Sequence, residues 1–198
     1  MRPKGKPDPE LYALRKESLG LLEQQSEWGN IDLYYGDETR VSQAAYVPYG
    51  WQFADEDVSI EATRGGAINC FGLLSRRNDL LYETTAKNIT ADFVLQFLDT
   101  FSLELKKLTV IVLDNARVHT ARKIKERLEI WQKRGLYIFY LPPYSPQLNI
   151  IERFFKELKE GWIKPEDYAS ADTLFYAVDR ILANVGKELF IKFNPFNG

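Results

Sequence analysis

The apolar run Leu108–Leu113, closed by Asp114, constrains this chain more than any other segment. Its aliphatic and β-branched residues do not alternate with polar ones, the pattern of a strand buried on both faces in a parallel sheet. A helix follows over Ala121–Arg134, with Ile124, Leu128 and Trp131 on one face and Gly135 as its stop. Leu136–Leu141 is then a second buried strand. Strand, helix and strand in this order make a parallel crossover, so the chain is built around a sheet covered by helices.

The rest of the pattern extends that sheet. A helix over Pro9–Trp28 ends at Gly29-Asn30, and Ile31–Gly36 reads as a strand stopping at Asp37. Ala44–Phe53, broken by Pro48 and Gly50, is a loop or strand edge. Val58–Thr63 alternates as a strand, turns at Arg64-Gly65-Gly66 and returns over Ala67–Leu74. Leu80–Glu83 is a short strand, and Thr90 caps a helix over Ala91–Leu105. After the Pro142–Gln147 loop, Ile150–Trp162 is a helix burying Ile151, Phe154, Phe155 and Leu158, and Ser170–Val185 is a last one. The expectation is an α/β fold with a mixed five-stranded sheet flanked by helices, in the order of a ribonuclease-H-like fold. In that order the first and fourth strands lie side by side, so Asp37 and Asp114 meet and the helix after the proline loop brings Glu152 to the same edge.

Three carboxylates on rigid elements suit magnesium or manganese held for phosphoryl transfer. Each also has a plainer reading. Asp37 can end a strand in a turn, Asp114 can cap the next segment, and Asn149-Ile150-Ile151-Glu152 fits a capping box. Glu38 points to the other side of an extended chain from Asp37, in a supporting role. His119, the single histidine, either contacts a substrate phosphate or a metal-bound water, or positions the loop after Asp114. Asn115 orients Asp114 in a similar way. Tyr144 belongs to a rigid proline loop, with stacking on a base as the alternative. Trp51 and Trp131 are core residues.

Four blocks in order carry a resemblance. They are Leu33–Glu38, Tyr49-Gly50-Trp51, Leu113–His119, and Leu141–Pro146 with Leu148-Asn149 and Ile151-Glu152-Arg153. Together they resemble the catalytic domain of a mariner-type DDE transposase of bacterial insertion sequences, over about residues 30–165. The resemblance implies DNA strand cleavage and strand transfer at Asp37, Asp114 and Glu152. These would hold two divalent ions, Mg2+ or Mn2+, on transposon-end and target DNA, in a homodimer assembled on DNA. Residues 1–30 correspond to a linker and N-terminal helix, and 31–198 to the catalytic domain with its C-terminal helix. Ile150 stands where the family commonly has proline, which softens the helix start. Members usually carry helix-turn-helix modules before this domain. Either a separately encoded chain supplies the DNA-binding part, or the protein is a truncated or repurposed remnant that binds a partner. A ribonuclease-H-like nuclease that does not transpose would share the acids but lack the Pro-Pro-Tyr-Ser-Pro block.

Composition agrees with one domain and a sizeable core, since 198 residues are 45% hydrophobic and 14% aromatic. No signal peptide or apolar span is visible, and the single Cys70 allows no internal disulfide, so the expected location is cytoplasmic. A net charge of −2 and a pI near 5.6 argue against strong free-standing nucleic-acid binding. The stretch 117–134 is nevertheless net +5, and it is expected to lie near phosphates and add salt-sensitive affinity.

Overall fold

The computed structural model describes residues 8–43 and 66–194. Asp8 caps the first helix, α1 (Pro9–Glu27), by accepting from the backbone N–H groups of Glu10 and Leu11, and Pro9 takes the first-turn position where no N–H is needed. Gly29, at φ +78°, turns the chain out of the helix. Strand β1 (Asp32–Ser42) then runs antiparallel to β2 (Ala67–Leu74), which pairs with β3 (Leu80–Thr85). Helix α2 (Ala91–Leu103), capped by the Thr90 side chain, leads to β4 (Thr109–Leu113). Helix α3 (Arg122–Lys133) crosses over to β5 (Leu136–Tyr140).

The sheet order is β3-β2-β1-β4-β5, with β1, β4 and β5 mutually parallel. Five described strands in this mixed order, with helices on both faces, form the ribonuclease-H-like architecture expected from the pattern. One core joins Leu19 of α1 to residues of α4 (Ile150–Glu157) and α5 (Ala171–Asn184) against Leu33, Tyr35 and Val112. On the other face Val94, Leu98, Ile124 and Trp131 pack against Phe71, Leu73, Ile111 and Leu113. At about 25 cal/mol per Å² of apolar burial, these two layers supply the main force holding the sheet between its helices.

The first strand departs from the reading that ended it at Gly36. The chain runs straight through Asp37 to Ser42, because Thr39 and Val41 keep every second side chain buried and β2 pairs with it as far as Ser42↔Ala67. Helix 150–162 is also divided. Its α-helical part ends at Glu157, and Leu158–Trp162 continue as one wider π-helical turn, a local widening often found beside functional sites. The expected strand at 58–63 and the segment 44–53 with Trp51 lie outside the described residues. Trp131 is fully buried, as a core residue should be.

Candidate metal centre and active site

The parallel register sets the two aspartates together. Tyr35 pairs with Val112 across β1 and β4, and two residues further along each chain stand Asp37 and Asp114. Asp37 is 8% exposed in mid-strand, and its Oδ1 accepts the Glu38 N–H at 2.8 Å. Asp114, just past β4, keeps about half its side chain in solvent. Its Oδ1 accepts the Ala116 N–H at 2.8 Å and faces His119 Nδ1 at 2.7 Å.

Glu152 comes from the first turn of α4 and, with Asp114, Asn149 and Tyr144, lines a cavity of about 410 Å³. Its carboxylate makes no hydrogen bond to a described residue, so the capping box is not formed. Instead of capping its own helix, Asn149 donates through Nδ2 to the Gly36 carbonyl at 3.3 Å. That bond fastens the start of α4 to the backbone immediately before Asp37. Donor atoms of Asp37, Asp114 and His119 lie within 4.8 Å of one another; Glu152 stands outside that cluster, on the cavity wall.

Crowding of these acids is visible in their protonation. Burial, then the charges of Glu38 and Asp114, push the Asp37 carboxyl up to about 8, with Glu152 adding to the shift. Burial would also raise Asp114, but the His119 hydrogen bond and the Ala116 N–H outweigh it and hold the carboxyl below its ordinary range. A hard divalent cation is the group that would relieve such repulsion, and the oxygen donors fit Mg2+ or Mn2+.

His119 belongs to the support of this cluster. The ring is fully buried, its Nδ1 meets Asp114, and its Nε2 approaches Glu38 Oε2 at 3.0 Å, an ion-pair contact without hydrogen-bond geometry. Burial works to lower its pKa, but Asp114 and Glu38 overcome that and push it up to about 9. With no exposed surface and each ring nitrogen against a carboxylate, the ring is placed to hold Asp114 and not to meet a phosphate. Of the two readings of His119, the geometry favours positioning. Glu38 reaches it from the opposite side of β1 to Asp37, in the supporting place expected. Asn115 donates through Nδ2 to the Leu141 carbonyl and ties the turn after β4 to the end of β5, with no hydrogen bond to the Asp114 side chain. Tyr144 is 63% exposed at the cavity and sits at φ +60°, a strained backbone of the kind held at functional sites.

Several cations of the basic stretch around α3 make ion pairs. Lys123 pairs with Asp92, Arg127 and Arg134 with Asp99, and Arg122 with Glu126, so most of its cations bind α2 or α3 itself. Lys159 in the π-helical turn is the cation that feels Glu152 and Asp37, while its burial lowers its pKa. Periodicity gave no sign of the Asn149 tie, because its partner lies 113 residues earlier in the chain.

A mixed sheet in the order β3-β2-β1-β4-β5, with Asp37 on β1, Asp114 just past the adjacent parallel β4 and Glu152 on α4, is a ribonuclease-H-like arrangement. The DDE superfamily endonuclease family matches residues 32–175, and the chain belongs to that family. Its fold is similar to that of the Mos1 transposase in a paired-end complex with left transposon end, at TM-score 0.59 and 17% identity over 90% of this chain and 56% of that one. A pre-cleavage Mos1 transpososome is similar at TM-score 0.58 and 16% identity, over 91% of this chain and 57% of the other. The chain thus spans a little over half the length of these relatives. No curated protein sequence matches it. Among the described residues, no helix is long and apolar enough to cross a membrane.

Proposed function

We propose that this chain is the catalytic domain of a mariner-type DNA transposase, cleaving DNA strands and transferring them at Asp37, Asp114 and Glu152. The observation that carries this reading is the meeting of Asp37 and Asp114 across β1 and β4, with Asp114 and Glu152 lining one cavity. Residues 31–198 form the catalytic unit, and 1–30 the lead-in, whose helix docks through Leu19.

Asp37, Asp114 and Glu152 would together hold the two divalent ions. Bound there, magnesium or manganese supplies Lewis acidity that activates the attacking oxygen and stabilises the leaving one in an in-line displacement. The protein's part is positional. The Ala116 N–H and His119 fix one oxygen of Asp114 and leave the other without a hydrogen bond to a described residue. Asn149 sets the angle at which α4 presents Glu152. With water as nucleophile the strand is nicked; with a DNA 3′-hydroxyl it is joined to a target, and only the attacking oxygen differs. The partners in this reading are transposon-end and target DNA, in a homodimer assembled on that DNA.

Crowded acids at an open cavity favour this reading over a remnant that only binds a partner. A strand-transfer assay with Mn2+ and the element's terminal DNA tests it. Asp114→Asn and Glu152→Gln should abolish nicking and joining while the fold is retained. Equal cutting by these variants and the parent rejects the assignment. Nicking without joining, on every target offered, would instead indicate a nuclease that does not transpose.

A further inference from the structure

The catalytic cavity has a neighbour that shares a wall with it. A second cavity of about 430 Å³ lies between α1, the Pro146–Leu148 turn, α4 and the last described residues. Pro146, Asn149 and Glu152 line both, so a chain leaving the acids past Glu152 enters this groove directly. Among the described residues of its lining Glu152 is the single acid, against Lys16 of α1 and Arg153 of α4 and the already engaged Arg76. Arg76 is held by Glu23 at 2.6 Å and by the Asn194 carbonyl. Lys16 and Arg153, by contrast, make no ion pair or hydrogen bond with a described residue. Tyr12 and Phe193 line the same groove, Phe193 with the Arg76 guanidinium 5.9 Å from its ring centre.

Unpaired cations in a groove with aromatic faces, continuous with a phosphoryl-transfer site, have the chemistry of a nucleic-acid backbone path. The cations of α3, which the sequence made the obvious phosphate contacts, are largely consumed by Asp92, Asp99 and Glu126. We infer that the DNA strand continuing beyond the scissile phosphate runs through the α1–α4 groove, with Lys16 and Arg153 contacting successive phosphates. This rests on the transposase reading above. It makes α1 part of the substrate path as well as of the fold.

The experiment compares the full chain with its Lys16→Gln/Arg153→Gln variant. Each is given two oligonucleotides with the same scissile site, one ending within two nucleotides of it and one extending about ten further. Binding is measured in Ca2+ and nicking in Mn2+, over a range of salt. Circular dichroism checks the fold of the variant, which loses no internal ion pair. The parent should bind the extended strand at least tenfold more tightly than the short one. The variant should lose that preference, and its log–log salt slope should fall by roughly 1.5, at about 0.7–0.9 per phosphate. A charge-matched control, Lys106→Gln/Lys187→Gln, lies outside the groove and should keep both.

An unchanged length preference in the groove variant, or an equal loss in the control, overturns the path. Failure of the parent to nick either oligonucleotide counts against the catalytic reading instead. The Ca2+ binding arm still decides the groove in that case, because loss of preference there needs no chemistry.

Discussion

His119 Nδ1 lies 2.7 Å from Asp114 Oδ1, and the same buried ring turns its Nε2 toward Glu38 at 3.0 Å. One side chain therefore joins the loop after β4 to the far half of β1, on either side of the acid cluster. Its position relative to Asp114 is fixed from outside as well, since Tyr140 Oη donates to the His119 carbonyl at 2.9 Å.

Replacing His119 should accordingly act on metal binding before it acts on DNA binding. His119→Gln is expected to lower metal-dependent nicking about 10–100-fold, the usual effect of removing the group that orients a ligand. The half-saturating Mn2+ concentration should rise while affinity for DNA in Ca2+ changes little. Glu38→Gln should move both readouts the same way by less. A variant with normal manganese dependence but weakened DNA binding would make His119 a substrate contact instead.

Asp37 predicts a conflict between stability and activity. Its folded carboxyl is raised to about 8, far above the ordinary value near 4. An acid whose folded pKa is raised destabilises the fold progressively as pH climbs between those two values, and fully above the upper one. In EDTA, Asp37→Asn should therefore raise stability, on the order of 1–3 kcal/mol after local relaxation, and by more at pH 8.5 than at pH 5. The same variant should not cleave. In the parent, saturating Mn2+ should recover the lost stability, about 2.7 kcal/mol at a hundred times its Kd. Thermal melts of both proteins at the two pH values, with and without metal, measure every term.

Much of this site was legible because its acids end or follow recognisable elements. Asp114 closes an unbroken apolar strand, and Glu152 opens a helix with a clear apolar face. Asp37 was found through the apolar run before it, but Gly-Asp-Glu looks like a turn, and the strand's continuation depends on β2 pairing through Ser42. The role of His119 was split between two readings because Glu38, its second partner, lies 81 positions away (119 against 38). The ion pairs of the α3 cations were hidden for a related reason. Local charge counts cannot see Asp92 and Asp99 on another helix, which neutralise them.

Asn149 tests whether the angle of α4 matters to the chemistry. It is 3% exposed, and its bond to the Gly36 carbonyl connects the two backbones that present Glu152 and Asp37. Asn149→Ala should cost about 1–3 kcal/mol of stability, the range for disturbing a buried hydrogen bond. Nicking should fall through kcat, roughly tenfold, with KM for DNA little altered, because the misplacement concerns reacting groups. Single-turnover rates at saturating DNA separate the two, and a pure KM effect would remove Asn149 from the positioning role.

Asp99 carries the most consequential contacts between α2 and α3, and it predicts how the protein responds to acid. Its carboxylate accepts from Arg127 Nε at 2.8 Å and from Trp131 Nε1 at 2.9 Å, with Arg134 at 3.4 Å. Desolvation alone would raise its pKa, but the hydrogen bonds from Arg127 and Trp131 prevail and lower it. A depressed folded pKa contributes stability that is complete above the ordinary value near 4 and is lost as pH falls through the depressed one. Asp99→Ala leaves the indole N–H of a fully buried Trp131 without its acceptor. At pH 7 that should cost about 1–3 kcal/mol, a fall in Tm of roughly 3–10 °C. The gap between variant and parent should narrow in urea melts as pH drops below 4, since the parent then loses the anion that holds the arginines and keeps only a neutral acceptor for Trp131. Because Asp99 is partly exposed, added salt should narrow the gap at pH 7 only slightly, through the arginine contacts and not the Trp131 bond. A gap that persists unchanged at pH 2.5 would mean that the side chain stabilises by packing alone.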